Sequence, residues 1–361
     1  MLYRLPLLKP SWAWRCLKSG DPAGLPENEF LYGYARCALQ DAYQLIGLKP
    51  GDVILYPDYV CDVILMPCRK LGLHVKYYPV QEDFQPEWDV VENLIQENAK
   101  AVVTINYFGF PQLMDQWKSL IEKYDLWWIE DNAHGFSGNY REINLGNWGH
   151  VSVSSIRKFM PMISGALLII NSLRLMNSEK IPPMTTIKLR LRLCREELRR
   201  VLGYFFILNH IPYNKFRSVP KAKSSSFYQD WTRPREIDVI SRRLFPFFMS
   251  KSKEYSAQRR MIYLSWEKFC LKHDLKPGFP FLPDGISPLV FPCYAKSLEN
   301  QLFWLEWGRK NSVDVHAWPN LPIEVVQAGG RAVAMQNRIL CFPINQDMEI
   351  GQISELSVDH P

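Results

Sequence analysis

The segment WWIEDNAHGFSG, residues 127–138, is the most informative part of the chain. Its apolar start is typical of a buried strand, and acidic, amide and imidazole side chains follow where such a strand would end. Upstream of it, strands and helices are predicted to alternate: strands at 52–57, 74–79, 101–106 and 126–129, and helices at 34–48, 62–72, 88–98 and 113–124. This alternation predicts βαβ units, and hence an α/β fold whose mostly parallel sheet is covered by helices on both faces.

The composition is that of a packed soluble protein. Of 361 residues, 47% are hydrophobic and 22% are charged, which excludes a disordered or collagen-like chain. A net charge of +6 is too small for this length to indicate a nucleic-acid partner. Pro6, Lys9 and Pro10 interrupt the apolar start, so no secretory leader is predicted. The longest uncharged stretches fall short of the roughly 20 residues of a spanning helix, so we expect a cytoplasmic protein.

The eight cysteines are scattered along the chain. No two of them have the CxxC spacing, so neither a zinc site nor a redox motif is predicted. In a chain of this size the pattern is typical of free thiols in a reducing compartment. We therefore expect no metal centre.

Changes in pattern predict four regions: an N-terminal arm (1–28), a large cofactor-binding domain (29–175), a basic helical connector (176–245) and a small C-terminal α/β domain (246–361). In the last region, helices are predicted at 255–272 and 298–310, and strands at 289–294, 313–316 and 338–342. The basic run 188–200 is most simply the solvated face of a helix. The alternative is a surface for anionic partners, with weak membrane-surface contact through 188–208 because an apolar run follows it.

Polar residues follow four predicted strands, namely those that end at 55, 105 and 129 and a further one at 151–153. In open α/β sheets ligands bind beyond the carboxyl ends of the strands, so these residues are the candidates for a site. Taken singly, each is more often a cap, a turn residue or a surface charge. Together they supply an amine, a carboxylate, an imidazole and hydroxyls, from Tyr59, Cys61, Asn106, Asp131, His134, Ser154, Ser155 and Lys158.

One cofactor, pyridoxal 5′-phosphate (PLP), needs all of these groups. Its aldehyde takes a lysine amine, and its pyridine nitrogen takes a buried carboxylate that keeps the ring protonated. Its phosphate is suited to the N–H groups at a helix N-terminus, which the predicted helix that begins near Ala35 and Arg36 offers, together with hydroxyls.

Six motifs resemble those of the DegT/StrS-type sugar aminotransferases, a family of fold-type I PLP enzymes. They are YGYARCALQDAYQLIGLKPGDVIL (32–55), PDYVC (57–61), NYFGFP (106–111), WWIEDNAHGFSG (127–138), SSIRKFMP (154–161) and, in two pieces, LPDGISPLVFPC (282–293) with ILCFPINQDM (339–348). The resemblance runs from about residue 30 to 175 and returns in patches to about 350. It implies a large three-layer α/β/α domain with a small C-terminal α/β domain.

The resemblance also implies roles for individual residues. Lys158 would form the Schiff base and act as general acid and base, and Asp131 would pair with the pyridine nitrogen. His134 would lie beside the ring. The remaining positions would be Ala35, Arg36, Ser154 and Ser155 near the phosphate, Cys61 with Tyr59 where the family stacks an aromatic on the ring, and Asn106 facing the pocket.

The chain also departs from the family pattern. Val153 stands five residues before Lys158, where the family commonly has Ser, and the Gly-rich stretch after the lysine is reduced to Ser164-Gly165. The family's G-Y-N motif is not evident, and Pro212-Tyr213-Asn214 is the nearest string. The retained Lys158 argues against the dehydratase branch, which replaces this lysine.

We therefore expect a PLP-dependent aminotransferase. It would carry an amino group from a glutamate-like amino acid to a nucleotide-linked keto-sugar, in polysaccharide or glycan biosynthesis, as a homodimer. Two alternatives stay open: other PLP chemistry on the same fold, and a non-catalytic relative that acts as a partner in surface-polysaccharide assembly.

Overall fold

The computed structural model describes residues 24–176 and 235–358, together with Leu2, Pro6 and Trp12. The basic run 188–200, the apolar run 201–208 and the string at 212–214 lie outside these residues, as does most of the predicted arm and connector. The four domain boundaries therefore stay a prediction. Leu2 bonds through its backbone to Ser312 and Asp314, and the Trp12 ring packs edge-on against Phe248.

Strands and helices alternate in the first described range, as the sequence predicts. Their bounds are β1 (Glu29–Tyr32), α1 (Ala35–Leu45), β2 (Val53–Pro57), α2 (Met66–Leu71), β3 (His74–Tyr78), α3 (Trp88–Gln96), β4 (Ala99–Ile105), α4 (Met114–Tyr124), β5 (Trp127–Asp131), β6 (Asn139–Tyr140), β7 (Ile143–Asn144), β8 (Val151–Ser154), β9 (Ala166–Ile170) and α5 (Leu173–Met176). Short 3₁₀ turns occupy Asp62–Leu65, Tyr107–Gly109 and Ile156–Lys158.

Seven strands form one sheet in the order β1-β9-β8-β5-β4-β2-β3. Strands β2, β3, β4, β5 and β8 run parallel, whereas β9 is antiparallel to both of its neighbours. The central strands are apolar and buried along nearly their whole length, as expected where helices cover both faces. Because β2, β4, β5 and β8 are parallel, their carboxyl ends lie at one edge of the sheet.

The second described range contains α6 (Val239–Ser250), α7 (Ser252–Lys272), β10 (Lys276–Pro277), β11 (Val290–Tyr294), α8 (Leu298–Lys310), α9 (Ile323–Ala328), α10 (Arg331–Gln336), β12 (Ile339–Pro343) and α11 (Ile350–Ser354). Strands β10, β11 and β12 form a small antiparallel sheet. Leu289 N–H donates to the Phe108 carbonyl (2.8 Å), and Asp62 N–H donates to the Asn320 carbonyl (2.9 Å). These bonds join the second range to the edge of the large sheet at which its parallel strands end.

Two predictions of secondary structure need correction. The predicted strand at 313–316 is wrong: Val313 and His316 form only isolated bridges, with Leu2 and Cys341 respectively. Strands β1 and β9 were not predicted. Strand β1 pairs with β9 more than 130 positions away, and β9 is a short, wholly apolar run of the kind that periodicity alone does not distinguish from a buried helix. In the part of the chain described here, no helix combines the length and the apolar character needed to cross a membrane.

Candidate active site

A pocket opens at the carboxyl ends of the parallel strands, with an empty volume of about 770 Å³ that is partly open to solvent. Seven of the ten residues predicted from the sequence line it: Ala35, Arg36, Cys61, Asp131, His134, Ser155 and Lys158. The pocket wall also includes Tyr34, Leu39, Val60, Val63, Ile64, Ile105, Ala133, Arg157 and Trp318. The fold therefore brings most of the candidate groups together, although they are up to 123 positions apart in the chain.

Lys158 is positioned by the tight turn that follows β8. Its backbone N–H donates to the Ser155 carbonyl (3.1 Å), and Arg157 N–H donates to the Gly165 carbonyl (3.2 Å) at the entry to β9. The antiparallel pair β8 and β9 thus holds the turn at both sides. The lysine side chain is partly buried, and its charge acts on Asp131, His134 and Cys61.

Asp131 is the last residue of β5, and its side chain is buried. Ala133 N–H donates to its Oδ1 at 2.9 Å. Burial raises the pKa of this carboxyl to about 6, while the Ala133 N–H and the Lys158 charge pull the pKa down. A cation that came to lie against this carboxylate would relieve the cost of its burial.

His134 is held as a neutral imidazole. Burial is the main cause that lowers its pKa well below the ordinary value, and the positive charges of Lys158 and His316 add to the effect. Phe108 N–H donates to its Nδ1 at 3.4 Å, which places the ring proton on Nε2. The ring lies parallel to Phe108 and edge-on to Trp318, with centroid distances of 5.8 and 5.0 Å. An aromatic wall therefore surrounds this imidazole.

Helix α1 points its N-terminus at the same pocket. Tyr34, at the N-cap, is extended, and no side-chain hydrogen bond caps the helix. The first turn, with Ala35 and Arg36, contains no acidic residue, so the partial positive charge of the helix end adds to that of the arginine. Such an end favours an anion.

Three predicted residues, Tyr59, Asn106 and Ser154, are not among the lining residues. The Tyr59 hydroxyl donates to the main-chain carbonyl of Trp318 (2.5 Å), and its ring packs against Phe84 and Tyr107. Tyr59 thus supports a wall of the pocket from behind. The predicted stacking role of Tyr59 on a bound ring therefore does not fit its position.

Asn106 and Ser154 belong to a buried polar network. The Asn106 amide donates to Glu130 and to Asn132 at 2.8 Å each, and the Asn132 amide donates to the Ser154 hydroxyl at 3.0 Å. Glu130 accepts further bonds from the backbone N–H groups of the loop at 146–149. Successive strand residues face opposite sides, which is why Glu130 anchors a loop while Asp131 reaches the pocket.

Nine lining residues are not among the predicted site residues, and two of them, Arg157 and Trp318, bring a charge and a large aromatic ring to the pocket. Arg157 is adjacent to Lys158 in the sequence, and its charge was the available signal. Trp318 has no motif around it and reaches the pocket only through the long-range packing against Tyr59 and His134.

The side chains present fit PLP. The pocket holds one amine, one buried carboxylate, a neutral imidazole and a concentration of positive charge at a helix N-terminus. Lys158 could hold the aldehyde, Asp131 the pyridine nitrogen, and the first turn of α1 the phosphate. Within the two described ranges, His, Cys, Asp and Glu side chains form no cluster of three that could bind a metal ion.

Comparison with known proteins bears first on the fold and then on the family resemblance. The Helicobacter pylori protein PseC, described as an aminotransferase involved in the biosynthesis of pseudoaminic acid, has the same fold, with a TM-score of 0.71, 15% identity and coverage of 98% and 95% of the two chains. The PLP form of Spr1654 from Streptococcus pneumoniae superimposes with a TM-score of 0.71, 13% identity and coverage of 98% and 96% of the two chains. These matches confirm the predicted fold-type I architecture.

Residues 35–177 match the model of the DegT/DnrJ/EryC1/StrS aminotransferase family, which confirms the resemblance that the motifs indicate. A relative in Streptomyces venezuelae, dTDP-3-amino-3,4,6-trideoxy-alpha-D-glucose transaminase, is 27% identical over 120 residues, covering 33% of this chain and 31% of the relative. The chain's alignments span about a third or less of the length of the curated relatives it matches.

Proposed function

We propose that this protein is a PLP-dependent aminotransferase that moves an amino group from a glutamate-like amino acid to a nucleotide-linked keto-sugar in polysaccharide or glycan biosynthesis. The observation that carries the proposal is the convergence of Lys158, Asp131 and His134 in one pocket at the strand ends. The family match supports the reaction class, and the transaminase relative, whose name contains a dTDP-sugar, supports the substrate class.

When bound, PLP would supply an electron sink that makes a proton next to the amino group labile. Lys158 would hold the aldehyde of the cofactor, and its amine would take up and return that proton. Backbone hydrogen bonds to the Ser155 and Gly165 carbonyls fix the turn from which the Lys158 side chain extends.

Asp131 would keep the ring nitrogen protonated. Because burial raises the pKa of this carboxyl to about 6, its ionised form is costly without a cationic partner, and a pyridinium would be that partner. His134 would offer its Nε2 proton to an oxygen acceptor, since its Nδ1 faces the Phe108 N–H. Cys61, whose thiol pKa burial raises, would contribute a neutral surface to the wall.

The visible absorption of the purified protein tests the cofactor. We expect a Schiff-base band that borohydride bleaches irreversibly, and we expect Lys158→Ala to lack that band. Lys310→Ala, which changes an exposed lysine at the end of α8, is the matched control and should keep it. A wild-type protein that stays colourless with added PLP would refute the proposal and favour the non-catalytic alternative.

Product analysis then separates transamination from other PLP chemistry. Glutamate with a nucleotide-linked keto-sugar should yield 2-oxoglutarate and an amino sugar in equal amounts. Loss of water or carbon dioxide from the substrate instead, without nitrogen transfer, would favour the alternative reaction on the same fold.

We also propose a homodimer located in the cytoplasm. The dimer rests on the family resemblance, because that family builds its sites at a dimer interface. The location is supported by the six described cysteines, all of which are free thiols. Size-exclusion chromatography with light scattering measures the oligomeric state, and fractionation of cells measures the location. Any membrane-surface contact through 188–208 is tested by sedimentation with anionic vesicles.

A further inference from the structure

A fully buried arginine on helix α7, Arg259, contacts three other segments of the chain. It is 1% exposed. Its Nε donates to the Pro288 carbonyl (3.0 Å), and its Nη2 donates to the Leu289 carbonyl (3.1 Å). Its Nη1 donates to Oε1 of Gln346 (3.2 Å), and the guanidinium lies over the Phe159 ring, 4.8 Å from the centroid. One planar group therefore joins α7 to three separate segments.

The charge of Arg259 has no carboxylate partner within the described ranges. All of its hydrogen-bond acceptors are neutral, namely two backbone carbonyls and one side-chain amide. Burial lowers the pKa of its guanidinium from 12.5 to about 9, so the group is still a cation at neutral pH. An apolar side chain of similar size would avoid the cost of burying this charge, but it could bind none of these acceptors. The planar guanidinium fixes their directions, which the single ammonium of a lysine cannot do.

One branch of these contacts leads to the catalytic lysine. Phe159 directly follows Lys158 and closes the lysine turn, residues 155–159. The Phe159 carbonyl accepts a hydrogen bond from Nε2 of Gln346 (3.0 Å). Because Gln346 also accepts the bond from Arg259, its amide bridges the guanidinium and the backbone of the lysine turn.

The other branch leads to the imidazole in the pocket. Leu289, whose carbonyl accepts from Arg259, donates its own N–H to the Phe108 carbonyl (2.8 Å). Phe108 in turn donates its N–H to Nδ1 of His134, and its ring lies parallel to the imidazole. Arg259 is thus linked to both Lys158 and His134 through short chains of contacts, although it is not among the described residues that line the pocket.

We propose that Arg259 is a positioning residue, which holds the lysine turn and the His134 wall at a fixed separation. The amine of Lys158 and the imidazole of His134 can then face the same bound molecule. This inference deepens the proposed function and rests on it for its effect on catalysis. Misplacement of a catalytic group by about 1 Å can cost about 100-fold in rate, so a contact outside the pocket can control turnover.

Steady-state kinetics with glutamate and a nucleotide-linked keto-sugar test this role. Arg259→Lys keeps the positive charge and removes the planar group. It should lower kcat about 10- to 100-fold and leave KM within about 3-fold, since it misplaces reacting groups and removes no contact to the substrate. Arg260→Lys is the matched control, because Arg260 bonds the Pro283 and Ile286 carbonyls and none of the partners of Arg259. The control should stay within about 2-fold of the wild type.

A second pair of variants breaks the link without changing the arginine. Gln346→Met removes the amide that bridges Arg259 and Phe159, and it should lower kcat about 10-fold. Gln301→Met is its control, because the Gln301 amide donates to two carbonyls in the second described range that do not line the pocket. The double variant of Arg259→Lys and Gln346→Met should be within about 2-fold of Arg259→Lys alone, since the two residues act through one link.

Chemical labelling of the apo-protein gives a readout that needs no cofactor. Formaldehyde and cyanoborohydride methylate lysine amines, and mass spectrometry compares the rate at Lys158 with that at the exposed Lys310. Arg259→Lys and Gln346→Met should each raise the relative rate at Lys158 about 3-fold or more, because a loosened turn exposes its amine more often. Arg260→Lys and Gln301→Met should leave this rate unchanged.

Thermal unfolding of each variant separates positioning from packing. If Arg259→Lys and Gln346→Met lower the melting temperature as Gln301→Met does, yet leave kcat and the labelling of Lys158 unchanged, the positioning role is refuted while the proposed function stands. If Arg259→Lys does not fold, Gln346→Met decides by the same measurements. If the wild type takes up no PLP, the proposed function is refuted, and the labelling of Lys158 still decides the role of Arg259.

Discussion

Replacing Asp131 by Asn should stabilise the apo-protein at neutral pH while it abolishes the reaction. The carboxyl is buried at the end of β5, and burial raises its pKa from 3.8 to about 6. The folded chain therefore binds this proton more tightly than the unfolded chain does. The contribution of Asp131 to stability is most favourable below pH 3.8 and becomes unfavourable as the pH rises to about 6 and above.

The size of the effect follows from that shift. A difference of about two pKa units corresponds to about 3 kcal/mol, which is the cost of keeping the charge buried at pH 7. Asparagine avoids this cost, and its side-chain oxygen can still accept the Ala133 N–H bond that Asp131 accepts now. We expect Asp131→Asn to raise the free energy of unfolding by up to about 3 kcal/mol at pH 7 and by almost nothing near pH 4.

Urea denaturation of the apo-protein at several pH values measures this difference. Comparison of the two proteins at each pH cancels the titration of all other groups. Asp284→Asn, which changes an exposed carboxylate, is the control and should stay within about 0.5 kcal/mol of the wild type. A variant that is less stable than the wild type at pH 7, or a difference that does not depend on pH, would show that the Asp131 charge is stabilised in the folded apo-protein.

Three further substitutions test residues that support the pocket, and urea denaturation measures the stability of each variant. Gly109→Ala should destabilise the protein strongly, because Gly109 has a φ of +104° and a Cβ added there would lie 2.6 Å from the Ser287 carbonyl oxygen. Gly47→Ala is the comparison: Gly47 has a φ of +81° and open space around it, so this change should lower the free energy of unfolding by only about 1–2 kcal/mol. Glu130→Gln should cost about 3 kcal/mol or more, because an amide N–H₂ group would face backbone donors. Tyr59→Phe should cost about 1 kcal/mol through one lost hydrogen bond and should weaken cofactor retention by loosening the wall it supports.

The sequence by itself determined the α/β class and much of the site. Strand and helix periodicity is local, so β2, β3, β4 and β5 with their helices could be predicted to within a few residues. Asp131, His134 and Lys158 could be proposed because parallel strands end at one edge, whichever strands are neighbours. The chemistry of these side chains then indicated one cofactor.

Only the tertiary structure decided which polar residue at a strand end faces the pocket. Asp131 reaches the pocket and Glu130 does not, and Ser155 lines the pocket whereas Ser154 joins a network with Asn132. Each adjacent pair looks equivalent in sequence, and the pleat and the partners of each side chain separate the two.

Long-range contacts likewise required the folded chain. Strand β1 pairs with β9 across more than 130 positions, and the residues of β1 carry no local signal for that pairing. The guanidinium groups of Arg36 and Arg157 both lie over the Tyr34 ring, and the Tyr59 hydroxyl donates to the Trp318 carbonyl. These contacts too join residues far apart in the sequence, so they could not be predicted from local patterns. Periodicity reports which face of an element is buried, whereas the identity of the neighbour depends on the packing of the whole domain.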